Sequence, residues 1–203
     1  YLMEINVFKI LNKTEVEGPG KRFCIWVQGC LRKCEGCHAK KTWSHKPNKI
    51  MTVDEIFELI KKQKDIEGVT FLGGEPFEQA DALGLLAQKV QSLGLSVMTF
   101  TGALLEDLKY CKDKGFDLLL AHTDLLVDGH FDSNQFDLSR PWVGSKNQRY
   151  HFLTDRYSID DINKYKNKLE IRIDKNGFLF VNGMADFDKI ENDLCLQVPE
   201  IKV

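Results

Sequence analysis

Cys30, Cys34 and Cys37 fall within eight residues, spaced C-x-x-x-C-x-x-C. The spacing sets three thiols on one short loop and offers no fourth. Thiolates are soft donors that suit iron–sulfur clusters or zinc. An iron–sulfur cube has four irons and ordinarily takes four cysteines. A triad therefore leaves one iron open to a ligand that is not protein. Gly29 and Gly36 supply the backbone freedom such a loop needs, and Gly36 removes a side chain beside the third thiol. The nearby Lys and Arg are expected to favour thiolate. Zinc is the competing metal, with His38 or His45 as fourth ligand. Zinc sites usually come as two pairs of ligands, and no second pair follows here. Cys24, Cys111 and Cys195 stand apart from the triad and read as small packed hydrophobes.

The chain around the triad has a βα rhythm. Residues 3–11 (MEINVFKIL) alternate as a strand, and Glu17-Gly18-Pro19-Gly20 is a turn. Arg22 to Gln28 is rich in β formers and leads straight into the cysteine loop. Thr52 and Glu55 form a capping box ahead of a helix. Val69 to Leu72 is a short buried strand ending in Gly73-Gly74-Glu75-Pro76. Gln79 to Leu93 is helical and closed by Gly94; Leu95 to Phe100 is a strand; Ala103 to Lys114 is a helix closed by Gly115. At least one of Leu118–Leu120 and Leu125–Val127 is a strand. Repeated β-loop-α implies a parallel sheet with right-handed crossovers. Each motif follows a strand, where α/β folds bind ligands. A chain of 203 residues is short for eight βα units. The expected fold is α/β, a partial, open βα barrel.

After residue 154 the pattern changes. Ile159 to Asn167 reads as a helix. Leu169–Asp174 and Phe178–Asn182 read as a β-hairpin around Lys175-Asn176-Gly177. The expected organisation is a core domain over 1–154 and an extension over 155–203 packed on it as one unit.

Composition narrows the setting. No apolar stretch approaches a membrane span. The N-terminal residues lack signal-peptide grammar, and clustered cysteines argue for a reducing compartment, so the expected location is cytoplasmic. Residues 1–49 carry 10 Lys/Arg against 4 Asp/Glu, while 50–203 carry 18 against 26. The basic share surrounds the cysteine loop, as a solvated surface or as a docking face for an acidic partner. No basic run is interleaved with aromatics, so nucleic acid is not an expected ligand.

The order of short stretches along the chain sharpens the picture. Gly18-Pro19-Gly20-Lys21-Arg22 precedes Val27-Gln28-Gly29-Cys30 and the triad, followed by Thr42-Trp43. Then come Leu72-Gly73-Gly74-Glu75-Pro76, Thr101-Gly102, Leu126 to Phe131 and Gly144 to Arg149. This order resembles the radical S-adenosylmethionine superfamily, and within it the activating proteins of anaerobic ribonucleotide reductases, over residues 16–153. The resemblance implies a [4Fe-4S] cluster on Cys30, Cys34 and Cys37, with S-adenosylmethionine chelating the fourth iron. One electron would cleave the cofactor to methionine and a 5′-deoxyadenosyl radical, which abstracts hydrogen from a backbone glycine of a glycyl radical enzyme. A flavodoxin or ferredoxin would supply the electron.

The resemblance also implies site roles. Gly73 and Gly74 let main chain meet the methionine end, Glu75 assists by charge or braces the turn, and Pro76 stiffens its exit. Thr99 and Thr101 reach the carboxylate or ribose, and Asp128 accepts ribose hydroxyls. His38, directly after the triad, stacks on adenine. Asn147, Gln148 and Arg149 bind cofactor or partner, or form a capped turn. Two other readings remain open: a stand-alone radical enzyme acting on a peptide or small molecule, and a zinc-stabilised binding module.

Overall fold

The structure, a computed structural model, describes residues 3–177, 179–186 and 189–190. In chain order the elements are β1 (Glu4–Thr14), β2 (Arg22–Val27), β3 (Lys49–Thr52), α1 (Val53–Lys61), β4 (Gly68–Gly73), α2 (Ala80–Ser92), β5 (Ser96–Phe100), α3 (Leu105–Tyr110), α4 (Lys114–Ala121), β6 (Leu125–Asp128), β7 (Arg149–Phe152), α5 (Ile159–Ile162), β8 (Leu169–Ile173) and β9 (Leu179–Gly183). One sheet runs β3-β1-β2-β4-β5-β6-β7. Its centre, β2-β4-β5-β6, is parallel. β1 and β7 flank it antiparallel, and β3 pairs antiparallel with β1. β3 and β7 do not meet, so the barrel is partial and open.

Side chains alternate between the two faces of the sheet. Phe23, Ile25, Val69, Phe71 and Val97 pack against the helices, meeting Ile56, Leu83, Leu86 and Leu119. On the other face, Cys24, Trp26 and Leu72 cluster with Phe100. Met98, Leu125 and Val127 meet Trp142, Val143 and Ile162 there. The β8–β9 hairpin forms a separate two-stranded sheet.

Local signals explain most boundaries. Thr52 Oγ1 accepts from Glu55 N (3.2 Å), and Glu55 Oε2 accepts from Thr52 N (2.7 Å), so the capping box starts α1. Gly94 follows α2 with φ +76°. At the foot of the parallel strands Arg22 is fully buried and donates to neutral oxygens: Thr70 Oγ1 (2.6 Å), Val69 O (2.6 Å), Ser96 Oγ (2.9 Å) and Pro19 O (3.0 Å). These bonds fix the 18–20 turn to β4 and β5.

Several expectations fail for identifiable reasons. The single helix over 103–114 is two helices. α3 ends at Tyr110, Lys112 adopts φ +50°, and Asp113 caps α4 by accepting from Gly115 N (2.8 Å) and Phe116 N (3.0 Å). Gly115 therefore opens a helix rather than closing one. A Cβ there would lie 2.6 Å from Asp81 Oδ1 and 2.9 Å from Asp81 N, so its absence lets α4 cross α2 closely. Leu118–Leu120 belongs to α4, and Leu125–Val127 to a strand. The helix expected over 159–167 shrinks to α5. β3 and β7, four residues each, are too short for a period to register. The hairpin forms with Gly177 at φ +83°; Phe178 and Cys195 lie outside the described residues.

Alanine in place of a helical glycine ordinarily stabilises by about 1 kcal/mol. Gly115→Ala is expected to do the opposite, lowering unfolding free energy in urea by about 1–3 kcal/mol through overpacking.

Candidate functional site

The Val27-Gln28-Gly29 exit from β2 throws the cysteine loop over the C-terminal edge of the parallel strands. The loop is folded back on itself by main chain: Gly29 N donates to Thr42 O (2.7 Å) and Cys30 N to Trp43 O (3.3 Å). Gln28 Nε2 reaches Ser44 O (2.6 Å). The next crossover turn docks on the loop's root, with Gly74 N donating to Val27 O (2.9 Å) and Glu75 N to Gly29 O (2.8 Å). A Cβ on Gly74 would stand 2.1 Å from Gly29 O. Gly73 has φ +102°, and its Cβ would meet Trp26. The two glycines are thus required by the contact between turn and cysteine loop.

Glu75 holds this junction. It is buried, with Oε1 accepting from Thr101 Oγ1 (2.8 Å) and Phe77 N (3.1 Å). Its Oε2 accepts from Gly102 N and Arg32 Nε, both at 2.9 Å. One carboxylate therefore ties the β4 turn, the β5 exit and the cysteine loop together; of the two expected roles, this geometry is bracing. Thr101 passes the chain on, accepting from Ala103 N (3.0 Å).

Cys30, Cys34, Cys37, Gly73, Gly74 and Glu75 line one cavity of about 280 Å³. Trp26, Leu72 and Phe100 form its floor; Thr101, Gly129 and Gln148 stand along one side, and His38 lies on the exposed rim. Pro76 is buried at the start of the 3-10 turn Pro76–Gln79 and is not part of the lining.

Two further expected site residues lie outside the cavity. Thr99 faces the helices, because alternation turns Phe100 to the cavity; its hydroxyl shares a 2.9 Å hydrogen bond with Thr123 Oγ1. Asp128 is fully buried and its oxygens are already engaged. Arg149 Nε reaches Oδ1 (3.0 Å) and Nη2 reaches Oδ2 (2.5 Å), where Leu105 N also donates (2.8 Å). Burial opposes ionisation of Asp128, yet Arg149, the Leu105 N–H and nearby His151 hold its carboxyl below the usual range. It does not line the cavity; its neighbour Gly129 does. Asn147 donates to His130 O (2.7 Å), Gln148 Oε1 accepts from Gly144 N (2.8 Å), and Arg149 also bonds Glu106 Oε2 (2.7 Å). These three fasten the 129–148 loop.

Cys30 and Cys37 titrate above the usual thiol range despite the nearby cations. Burial raises Cys30, and the carboxylates of Glu75 and Glu78 add to it, against the N–H groups of Lys33 and Arg32. Burial raises Cys37 as well. Metal loading must therefore expel protons. Among the described residues, no three His, Cys, Asp or Glu converge as a single ion requires. His45, the alternative zinc ligand, is paired with Glu78 at 2.6 Å. A cube gives each thiolate its own iron, so it needs no such convergence. Three soft donors around one recess lined by glycine backbone fit a cluster with an open iron.

Three residues of this site escaped the sequence reading. Glu17, expected only as part of a turn, is buried in the cavity wall. Burial pushes its carboxyl up to about 7, against the pull of Asn182 and the Gly183 N–H. Asn182 and Gly183, at the end of β9, line the same wall.

A family model described as a 4Fe-4S single cluster domain matches residues 16–151. The anaerobic ribonucleoside-triphosphate reductase-activating protein of Enterobacteria phage T4 is 31% identical over 146 residues, 69% of this chain and 89% of that one. This chain belongs to the radical S-adenosylmethionine superfamily, in the family of the activating proteins. The protein of the same name from Escherichia coli K12 is 32% identical over 146 residues, 68% of this chain and 92% of that one. The pyruvate formate-lyase-activating enzyme of Staphylococcus epidermidis is 35% identical over 118 residues, 55% of this chain and 47% of that one. The family's cofactors are a [4Fe-4S] cluster and S-adenosylmethionine. β8 and β9 lie beyond the matched segment. Among the described residues no helix is long and apolar enough to cross a membrane.

Glu17 titrates higher folded than unfolded, so its contribution to stability is full below 4.5 and is lost as pH rises to about 7. Lys9 and Glu170 are the other charges that act on it. Glu17→Gln keeps the acceptor for Asn182 and Gly183. It is expected to remove about 2 kcal/mol of the fall in unfolding free energy between about pH 5 and pH 8, read by denaturant titration.

Proposed function

We propose that this chain is an activase that installs a glycyl radical on a larger partner enzyme of the anaerobic ribonucleoside-triphosphate reductase type. The observation that carries it is the single cavity that joins the cysteine triad to the Gly73-Gly74-Glu75 turn at the ends of the parallel strands. Bound there, the cluster and S-adenosylmethionine supply reductive carbon–sulfur cleavage and a 5′-deoxyadenosyl radical that takes a hydrogen atom.

The chain's residues position that chemistry. Cys30, Cys34 and Cys37 hold the cluster. Main chain at Gly73 and Gly74 faces the methionine end. Glu75 acts through others, holding Arg32 and the Thr101–Gly102 exit in place. Thr101 lies along the cofactor's flank and His38 on the rim toward adenine. Trp26, Leu72 and Phe100 exclude water from the floor. Outside the cavity, Leu31 is 72% exposed beside exposed Arg32 and Lys33, with exposed Lys40 and Lys41 on the same loop. An apolar tip within a basic surface suits an acidic electron donor such as a flavodoxin or ferredoxin. Free thiols and this donor fit a cytoplasmic setting.

A second reading, a stand-alone enzyme acting on a peptide or small molecule, is favoured by one observation: the β8–β9 hairpin contributes cavity wall beyond the matched segment. Anaerobic reconstitution with iron and sulfide, S-adenosylmethionine and a strong one-electron reductant separates the two. The activase produces 5′-deoxyadenosine by mass spectrometry and a glycyl radical signal by electron paramagnetic resonance when an anaerobic ribonucleoside-triphosphate reductase is added. 5′-Deoxyadenosine without that signal favours the second reading. Cys30→Ala is expected to abolish both products with most of the fold retained by circular dichroism. Gly74→Val drives a side chain into Gly29 O. It is expected to lower iron per chain and to cut 5′-deoxyadenosine formation about 100-fold, the cost of an ångström-scale misplacement.

A further inference from the structure

The cavity has a wall that the matched family segment does not supply. Asn182, Gly183, Met184 and Ala185, at and just beyond the end of β9, stand in its lining with Glu17. The hairpin is fastened for this purpose. Gly183 N donates to Glu17 Oε1 (2.7 Å), and Met184 N donates to Lys168 O (3.1 Å). Gly183 has φ +107°, and a Cβ there would stand 2.2 Å from Lys168 O, so only glycine permits the approach. Thr14 Oγ1 donates to Glu170 Oε2 (2.6 Å), Arg172 Nη2 bonds Lys13 O, and Lys9 Nζ sits 4.6 Å from the Phe180 ring centre.

Asn182 is 3% exposed. Its Nδ2 donates to Thr14 Oγ1 (3.2 Å) and Glu17 Oε1 (3.3 Å), two acceptors that fix which way the amide faces. Thr14 Oγ1 has its own proton committed to Glu170, so it can only accept from Asn182. Asn182 Oδ1 then has no partner among the described residues. A buried carbonyl oxygen left unpaired is costly, and such an atom in a cavity wall fits a donor brought by a ligand.

The rest of the lining narrows that ligand. Among the described lining residues, Arg32 is the one guanidinium or ammonium, and Glu75 already holds it. Lys9 lies 5.8 Å from the Trp26 ring centre and is not in the lining. The lining is therefore poor in cationic groups for a phosphate. Apart from Glu17, whose Oε1 is taken by Asn182 and Gly183, the surrounding surface is small or apolar: Gly183, Ala185, Met184 and the indoles of Trp26 and Trp142. It suits an uncharged chain with a small side chain.

We propose that the β8–β9 hairpin is the substrate wall of this cavity, and that Asn182 Oδ1 accepts a hydrogen bond from a peptide N–H of the segment whose hydrogen atom is abstracted. This rests on the radical chemistry proposed above and names the contact that would position its main-chain substrate.

The test uses the reconstituted protein with S-adenosylmethionine. The probe is an acetylated, amidated pentapeptide of alanine with a central glycine. The same peptide is also made with each amide nitrogen methylated in turn. Binding is measured by calorimetry. Wild type is expected to bind one N-methyl peptide about tenfold more weakly than the parent, the loss of one hydrogen bond to a buried acceptor. Asn182→Leu is expected to bind the parent about tenfold more weakly and to lose that discrimination. Equal affinity of wild type for every peptide overturns the proposal, as does no binding or discrimination that survives Asn182→Leu. The wild-type series needs no variant, so a misfolded Asn182→Leu leaves the test standing. 5′-Deoxyadenosine formation by the same wild-type sample separates the two levels: product without peptide recognition refutes this inference alone, and no product refutes the reading beneath it.

Discussion

Glu75 is the side chain on which the site's geometry depends. Its four hydrogen bonds reach the 3-10 turn after β4, the exit of β5 and Arg32 inside the cysteine loop. Three separate loops meet at this carboxylate at the top of the sheet. A buried carboxylate with every oxygen engaged sets their separation, because any movement leaves a buried donor or charge unpaired. Arg22 does the corresponding work at the foot of the strands, with neutral acceptors in place of ions. The parallel sheet is thus clamped by one buried charge at each end. The apolar core between them supplies stability, while the clamps supply register.

The sequence disclosed the parts of this arrangement that are local. The triad, the glycine turn, the capping box of α1 and the βα rhythm each lie within a short window, and each stands where its pattern indicates. What misled was orientation. Thr99 was a candidate by its place at the end of a strand, yet the pleat turns its neighbour Phe100 to the cavity. Ser96 to Phe100 does not alternate in polarity, because Val97 and Met98 are apolar on opposite faces, so the pattern did not say which way Thr99 points. Asp128 looked available because it ends a strand before a glycine. Its partner Arg149 comes 21 positions later, on a four-residue strand with no visible period.

Glu17 and Asn182 were beyond any local reading. They are 165 positions apart and meet only because the hairpin folds back across the sheet's concave face. Within the sequence, Glu17 is a turn residue and Asn182 a strand residue, and each has an ordinary explanation. Gly74 is a related case. Its motif was legible, but the reason for a missing side chain is the carbonyl of Gly29, 45 positions earlier.

The sheet stops at β3 on one side and β7 on the other, and this incompleteness bears on what the protein can act upon. A closed barrel admits only what diffuses through its mouth as a detached molecule. An interrupted one need not close around its substrate, so a loop could enter while both its ends remain anchored in a folded body. Reach, rather than pocket size, then sets the limit on substrate mass.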